Sequence, residues 1–255
     1  MVGRLADAGH DVRVVLRDRR NDAARHDVER LGAGAVTEVA DAAAGSDVVV
    51  VCVFTDEQVR RVCLDGALLP TMRPGSALVV HTTASPTTID AIAARGDHVD
   101  VVDAAISGGP HDVAAGRLTL FVGGSDQAVT RLQPVLGCYG DPILHVGRPG
   151  AGQKVKLVNN ALFAGHIGLL AESIRLGERL GVPESTLLAA LTRGSAASRV
   201  LDIVAATGSV ASFVEVAGEF VGKDVAVVRA IAEELGGDLG ALDDVIDVLN
   251  VEGKV

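Results

Sequence analysis

Runs of β-branched and apolar residues alternate with helical segments up to residue 147, and this alternation most constrains the fold of the chain. The strand-like runs occupy residues 11–16, 47–54, 76–83, 98–106, 118–124 and 142–147. The helical segments between them occupy residues 22–31, 56–64, 87–95 and 126–136. Such alternation is typical of a doubly wound sheet with helices on both faces. We therefore predict an α/β fold in which the last two strands extend the same sheet.

After Gly147 the pattern changes to helices alone. Residues 152–181 have the composition of one long helix. Further helical segments occupy residues 184–194, 198–206, 223–236 and 241–250. The sequence thus predicts two domains, an α/β domain at residues 1–148 and an all-α domain at residues 149–255.

Composition narrows the classes of function. The net charge of −10 argues against non-specific binding to nucleic acid or to a membrane surface. Aromatic residues make up only 2% of the chain, so aliphatic side chains must form the core, as suits a buried sheet. The three cysteines and seven histidines show no metal-ligand spacing, so no metal site is predicted. With no signal peptide or long apolar run in the sequence, the cytoplasm is the expected location.

The segment DAAISGGP, residues 103–110, ends a predicted strand in Ser107, Gly108 and Gly109. Two glycines after a strand allow backbone N–H groups to converge on an anion, and the serine hydroxyl adds a donor. The carboxylate of a small acid would fit there. A tight turn in a connecting loop explains the same residues, and on this segment alone the turn is the simpler interpretation.

A second segment, GRPGAGQKVKLVNN at residues 147–160, has glycines just before the long predicted helix. Lys156 and Asn160 are four residues apart, so a helix places both side chains on one face. An ammonium beside an amide at a cleft could polarise a carbonyl or take up a hydroxyl proton. A solvated lysine and a buried asparagine that satisfies a turn form the structural alternative. Lys154 points elsewhere and serves as an internal control.

Taken together, these segments resemble the β-hydroxyacid dehydrogenase family, which includes 3-hydroxyisobutyrate dehydrogenase and tartronate semialdehyde reductase. The resemblance covers essentially the whole chain. Its motifs are AGH-x-V-x-V (8–14), TTASP (82–86), DAAISGG (103–109), G-x-x-G-x-G-x-x-x-K-x-x-x-N (147–160) and FVGKD (220–224). It implies a Rossmann-type domain followed by a helical domain. It also implies reversible hydride transfer between a nicotinamide cofactor and a short 3-hydroxy or 2-hydroxy acid, or its semialdehyde.

The same resemblance assigns roles to individual residues. Lys156 would be the catalytic lysine, with Asn160 as its partner at the substrate. The residues implied to hold the substrate carboxylate are Ser107, Gly108 and Gly109. The residues implied to lie along the cofactor, with Thr83 beside the nicotinamide, are Phe54, Thr55, Thr83, Lys223 and Asp224.

The family begins with a strand and a G-x-G-x-x-G loop ahead of a helix that ends in Ala-Gly-His, whereas Met1 of this chain falls inside that helix. We therefore expect the first strand and the phosphate-binding glycines to be missing from the chain as given, through a misassigned start or trimming. The strands that flank that position would then have open edges. Near the expected substrate site, Ala105, Asp112 and Arg117 replace the family's usual residues, which leaves the substrate's identity open.

The residues after the first strand-like run bear on the choice of cofactor. In NAD-binding folds an acidic residue at this position holds the ribose 2′-hydroxyl. Here the strand is followed by Arg17, Asp18, Arg19 and Arg20. An arginine such as Arg17 suits a 2′-phosphate through bidentate contacts. We expect NADP, while Asp18 keeps NAD open and a solvated basic loop is the structural alternative.

Two functions are consistent with the sequence. The first is an NAD(P)-dependent 3-hydroxyacid dehydrogenase that acts on a small hydroxy acid and forms a homodimer or homotetramer through its long apolar helix. The second is a non-catalytic dehydrogenase-like binding or scaffold protein that has lost cofactor binding. The absent glycine loop favours the second, while Lys156 and Asn160 oppose it. His81, at the end of a strand, is either a ligand contact or a satisfied structural histidine.

Overall fold

Seven strands form in the part of the chain that this computed structural model describes, residues 1–18 and 20–248. They are β1 (Arg13–Val15), β2 (Gly34–Val36), β3 (Val48–Val51), β4 (Ala77–Val80), β5 (Asp100–Ser107), β6 (Leu118–Gly123) and β7 (Gly140–Gly147). The helices of the first half are α1 (Val2–Asp7), α2 (Asp22–Arg30), α3 (Val39–Ala43), α4 (Asp56–Cys63), α5 (Leu68–Thr71), α6 (Pro86–Arg95), α7 (Pro110–Ala115) and α8 (Asp126–Leu136). Those of the second half are α9 (Ala151–Arg179), α10 (Glu184–Leu191), α11 (Arg199–Thr207), α12 (Val210–Glu234) and α13 (Ala241–Asp247).

The strands divide over two sheets. β1 pairs with β2 in parallel, and the second sheet has the order β3-β4-β5-β6-β7. All neighbours in the second sheet are parallel except β5 and β6. The predicted α/β fold is confirmed. Among the described strands, β1 and β3 pair only with β2 and β4, so each has one open edge, as the sequence predicted for the flanks of the family's first strand.

The antiparallel direction of β6 was not predicted, and its cause is the short connection that precedes it. Only residues 108–117 join β5 to β6, and most of them belong to the six-residue helix α7. A parallel return would need a crossover of about a dozen residues or more. The short elements β2, α3, α5 and α7 were also not predicted, because three to six residues show too little periodicity.

The larger sheet is covered on both faces, as alternation along β4 shows. Leu78 and Val80 belong to one apolar cluster, with Ile89 and Ile92 of α6. The intervening residues of β4 belong to the opposite cluster, with Leu132 and other residues of α8. Successive side chains of a strand point to opposite faces, so the four apolar residues of β4 contribute to both layers. Burying each such side chain stabilises the fold by about 1.5–3 kcal/mol.

The helical half has a core of its own. Chain contacts separate a first unit, Met1–Lys156, from a second unit that starts at Leu157, inside α9. In the second unit, α9 contributes Ala164, Ile167, Leu170 and Ile174 to an apolar cluster. Their spacing of three or four residues places them on one helix face. Residues of α10, α11, α12 and α13 complete the cluster, so the predicted all-α organisation is confirmed.

The helix predicted at residues 223–236 begins earlier, at Val210. Gly218 and Gly222 lower the helix propensity of this segment, so the first half of the helix was not predicted from the sequence. Burial of Phe213 and Val221 in the second unit's core outweighs that propensity. Within the described residues, no single helix is long and apolar enough to cross a bilayer. Among the described helices, α11 and α12 taken together are long and apolar enough, but they are bent by 112° at the break between them.

Candidate functional site

Three loops that carry predicted site residues lie at one edge of the larger sheet. β3, β4 and β5 are parallel, with Val51 opposite Val80 and Val80 opposite Asp103. Phe54 and Thr55 follow β3, and Thr83 follows β4. β5 runs on past that level to Ser107. The carboxyl ends of parallel strands are where ligands bind in such sheets, so the fold places these loops where the sequence predicted a site.

Side chains tie the loops after β3 and β4 together. The backbone N–H of Val53 donates to Oγ1 of Thr82 at 2.8 Å, and the same hydroxyl donates to the carbonyl of Val53 at 2.9 Å. One turn further along, the carboxylate of Asp56 accepts from the N–H of Ser85 at 2.9 Å and from the hydroxyl of Thr88 at 3.0 Å. The two loops therefore form one hydrogen-bonded edge.

Asp103, a buried residue of β5, holds the start of α9. Its Oδ1 accepts from the N–H of Gly150 at 2.6 Å, and its Oδ2 accepts from the N–H of Gln153 at 2.8 Å. The first N–H groups of a helix have no partner within the helix, and this carboxylate supplies one from the sheet. Gly152 allows the close approach, because a Cβ there would lie 2.8 Å from Oδ2 of Asp103. Burial raises the pKa of Asp103 to about 6, against the backbone N–H groups, which favour the ionised form.

Gln153 joins the same helical turn to the loop of Thr83. Its Nε2 donates to the carbonyl of Thr82 at 2.9 Å, and its Oε1 accepts from the N–H of Ala84 at 2.9 Å. The side chain is fully buried and bonds the backbone on both sides of Thr83. Lys156 lies one turn further along the same helix. The helical turn that precedes the candidate lysine is therefore hydrogen-bonded to the predicted nicotinamide loop.

Lys156 and Asn160 differ in exposure from the control lysine. Lys154 is exposed, Lys156 is half-buried, and Asn160 is only 6% exposed. Oδ1 of Asn160 accepts from Nδ2 of Asn159 at 3.3 Å. Its own Nδ2 is buried and has no hydrogen-bond partner among the described residues. A buried donor left unpaired costs about 1–3 kcal/mol, which is unusual in a stable protein and suits a site that binds an acceptor.

The turn after β5 is partly closed by its own side chains. Gly108 has a φ of +133°, which favours glycine, and Gly109 precedes the first residue of α7. The N–H of Gly109 donates to Oδ2 of Asp112 at 2.9 Å. The sequence predicted that this N–H would face a substrate carboxylate, and a carboxylate of the chain itself occupies it here. A Cβ on Gly109 would have no atom within 4 Å, so the turn itself is open.

The comparisons with known proteins agree with this architecture. Residues 1–147 match the family described as the NAD binding domain of 6-phosphogluconate dehydrogenase. Residues 150–250 match the family described as "NAD-binding of NADP-dependent 3-hydroxyisobutyrate dehydrogenase". The chain belongs to the β-hydroxyacid dehydrogenase family. The family predicted from the sequence motifs is thus confirmed.

Similar proteins include several β-hydroxyacid dehydrogenases. An uncharacterised oxidoreductase of Shewanella frigidimarina is 33% identical over 201 residues, which cover 78% of this chain and 68% of the relative. An NAD-dependent L-serine dehydrogenase of Pseudomonas aeruginosa is 34% identical over 175 residues, covering 68% of this chain and 59% of the relative. A solved 3-hydroxyisobutyrate dehydrogenase of Mycobacterium tuberculosis with L-serine is 26% identical, with a TM-score of 0.83 over 96% of this chain and 86% of that one. The matched regions span only 46% to 68% of the first few curated relatives.

The remaining predicted cofactor residues of this family member follow β1, precede α4 or lie in α12. Arg17 is exposed after β1, in the smaller sheet. The Thr55 hydroxyl accepts from the N–H of Gln58 and caps α4, while Phe54 is 53% exposed beside it. In the second unit, Lys223 and Asp224 are half-buried in the middle of α12. Their roles stay predictions.

His81 has a structural role in this family member. Its Nδ1 lies 2.5 Å from the carbonyl oxygen of Ala104, and its Nε2 lies 2.8 Å from the hydroxyl of Tyr139. A carbonyl only accepts, so Nδ1 carries the proton and the tyrosine hydroxyl donates to Nε2. Burial lowers the pKa of His81 to about 4, which keeps the ring neutral. Of the two interpretations of this residue, the satisfied structural histidine agrees with the structure.

A surface cavity of about 690 Å³ lies at the opposite edge of the larger sheet and contains none of the predicted site residues. Its lining includes Asp100 at the start of β5, Ser125 ahead of α8 and the exposed His145. We place the candidate site at the carboxyl edge and not at this cavity. The loops at that edge carry the predicted site residues, whereas the shape of a cavity alone does not identify a reaction.

Proposed function

We propose that the chain catalyses reversible hydride transfer between a nicotinamide dinucleotide and a short 3-hydroxy acid or its semialdehyde. The observation that carries this proposal is that Gln153, three positions before Lys156 in α9, hydrogen-bonds the backbone on both sides of Thr83. It joins the candidate acid–base residue to the loop expected beside the nicotinamide. Relatives named as dehydrogenases of L-serine, 3-hydroxyisobutyrate and 2-(hydroxymethyl)glutarate support the substrate class.

The residues fit the nicotinamide half of such a cofactor. Asn160 offers a buried donor that needs an acceptor, Phe54 and Thr55 after β3 are exposed, and Thr83 after β4 is partly exposed. When bound, the nicotinamide accepts or returns the hydride. Lys156 takes the hydroxyl proton during oxidation and returns it during reduction, which contributes about 10²–10⁴-fold in such reactions. Asn160, one turn along the same helix, donates to an oxygen of the bound molecule.

The turn after β5 orients the acid. The hydroxyl of Ser107 and the N–H of Gly108 are the donors proposed for the substrate carboxylate. Gly109 joins them only if its N–H is released by Asp112. Holding the acid at its carboxylate fixes the carbon that carries the hydride, which is how positioning lowers a barrier.

The experiment that tests this function is a turnover assay of the purified chain. It uses NADPH or NADP with L-serine, 3-hydroxyisobutyrate and 2-(hydroxymethyl)glutarate, or their oxidised forms, and follows the absorbance of the reduced nicotinamide. We expect turnover with at least one hydroxy acid. No turnover of any of them, together with no binding of either cofactor in a fluorescence titration, would instead favour the non-catalytic binding or scaffold protein.

The proposed cofactor is NADP, supported by Arg17 directly after β1. Arg17→Asp should weaken NADPH binding about 10-fold or more, because an arginine contact to a phosphate contributes about 1.5–3 kcal/mol. NADH binding should change far less. Fluorescence titration of both cofactors measures the difference. Arg30→Asp is the matched control, since Arg30 ends α2 and is also exposed. Equal weakening of both cofactors by Arg17→Asp would contradict the 2′-phosphate contact.

The proposed assembly is a homodimer or homotetramer formed through α9. An exposed apolar stripe runs along this helix as Val158, Leu162, Leu169 and Leu176, and Leu180 follows directly after its last residue. Its spacing of four and seven residues keeps it on one side of the helix, as in helices that pack lengthwise on a second copy. Leu169→Asp combined with Leu176→Asp should convert the assembly to monomers in sedimentation velocity. Leu235→Asp, at an exposed apolar residue after α12, should leave it unchanged. A wild-type chain that sediments as a monomer would refute the proposal.

A further inference from the structure

We propose that Asp103 and Gln153 are positioning residues, which set the distance and orientation of Lys156 relative to the loop of Thr83. The inference deepens the proposed function and rests on it for the identity of the reacting groups. Neither residue is proposed to touch the reacting atoms. They act by fixing the first turn of α9 on two sides.

The first side is the sheet. The carboxylate of Asp103 bonds the N–H groups of Gly150 and Gln153, at 2.6 and 2.8 Å, in place of a side chain from the helix's own N-cap. An N-cap from the helix itself would satisfy the same groups and leave the helix free to shift along the sheet. A carboxylate from β5 fixes the start of the helix at the level where β3 and β4 end.

The second side is the loop after β4. Gln153 needs both a donor and an acceptor to bond the carbonyl of Thr82 and the N–H of Ala84, and an uncharged side chain that offers both at its end is an amide. Each of these buried groups would be costly if unpaired, so the loop has one favoured position relative to the helix. The polar contacts thus specify a geometry that apolar packing alone would leave looser.

The position of Lys156 depends on how this first turn of α9 is held. The lysine lies three positions after Gln153, which corresponds to a rise of about 4.5 Å along the helix axis. A small rotation or slide of the first turn therefore moves the base of the lysine side chain against Thr83. Misplacing a reacting group by about 1 Å can lower a rate by about 10²-fold.

The test compares Gln153→Met and Asp103→Asn with wild type. Methionine keeps the length of glutamine without its hydrogen bonds, and asparagine keeps the shape of aspartate with one acceptor fewer. We expect each variant to lower kcat about 30-fold, with substrate KM and cofactor Kd changed less than about threefold. Ser76→Ala is the control, since Ser76 is also buried and polar but bonds Arg73 at the amino end of β4. Its kcat should match wild type.

Hydrogen–deuterium exchange gives a second measurement that needs no activity. The variants at Gln153 and Asp103 should speed exchange in peptides covering residues 80–88 and 148–156, while Ser76→Ala should not. Unchanged exchange in those peptides overturns the positioning role, as does an unchanged kcat in an active enzyme. An inactive wild-type chain whose variants still show faster exchange supports the anchoring and counts against the proposed function alone.

Discussion

Lys156→Ala should lower kcat/KM about 10³-fold while leaving the affinity for the nicotinamide cofactor nearly unchanged. The expected size is that of a lost general acid–base group, for which about 10²–10⁴-fold is typical. Cofactor affinity should hold because the hydroxyl of Thr83 and the other cofactor-side groups are untouched. Steady-state kinetics with a hydroxy acid and fluorescence titration with NADPH measure the two quantities separately.

Lys154→Ala is the matched control. The two lysines are on the same helix, two residues apart, so their side chains point in nearly opposite directions. Lys154 is exposed and Lys156 is half-buried. We expect Lys154→Ala to keep wild-type kcat/KM. A comparable loss in both variants would show that the charge near the start of α9 matters, and that Lys156 has no special role.

The elements predicted from the sequence are those in which several residues repeat one pattern. The apolar strands of the larger sheet and the 29-residue α9 are long enough for their periodicity to be read directly. Elements that depend on distant partners were missed. The three-residue β2 is stabilised by pairing with β1, and the first half of α12 is stabilised by burial despite its glycines. Tertiary packing overrides local propensity in both.

In the candidate site too, residues in local motifs were predicted and residues with distant partners were not. The residue pattern predicted Lys156, near the start of a helix, and Ser107, at the end of a strand, while the family resemblance implied Thr83. The pattern did not predict Asp103 or Gln153 as site residues, since their partners lie 47 to 71 positions away in the chain. One signal was present: Asp103 is an acidic residue between apolar residues in the interior of a strand, and such a residue requires buried partners.

Asp112 could not be interpreted from the sequence either. Its position near the Ser-Gly-Gly turn suggested an effect on the substrate, without indicating which. The structure shows its carboxylate on the N–H of Gly109, so the chain itself places negative charge beside the proposed carboxylate site. In the proposed function, a substrate carboxylate would therefore approach from the side of Ser107 and Gly108.

Acid should change the stability of the fold through two buried groups that act in opposite directions. Burial raises the pKa of Asp103 from 3.8 to about 6, so its stabilising contribution is complete below about pH 4 and is lost as the pH rises through about 6. Burial lowers the pKa of His81 from 6.5 to about 4, so its contribution is complete above pH 6.5 and is lost as the pH falls through about 4. Each pKa shift corresponds to a change of about 3 kcal/mol in the free energy of unfolding. In the wild-type chain the two effects therefore largely cancel between pH 4 and 6.5.

Replacing either residue should reveal the pH dependence that the other one contributes. In Asp103→Asn, the free energy of unfolding should fall by about 3 kcal/mol more than in wild type between pH 6.5 and 4, because only the cost of protonating His81 remains. In His81→Asn, the free energy of unfolding should rise by about 3 kcal/mol relative to wild type as the pH falls from 6.5 to 4. The reason is that the folded chain then takes up a proton on Asp103 more readily than the unfolded chain does. Urea unfolding at a series of pH values measures both slopes. The other carboxylates are common to all three proteins, so the differences from wild type isolate the two buried groups. Parallel pH profiles for the three proteins would mean that neither pKa is shifted by burial, and the fold would then have to admit water to Asp103 and His81.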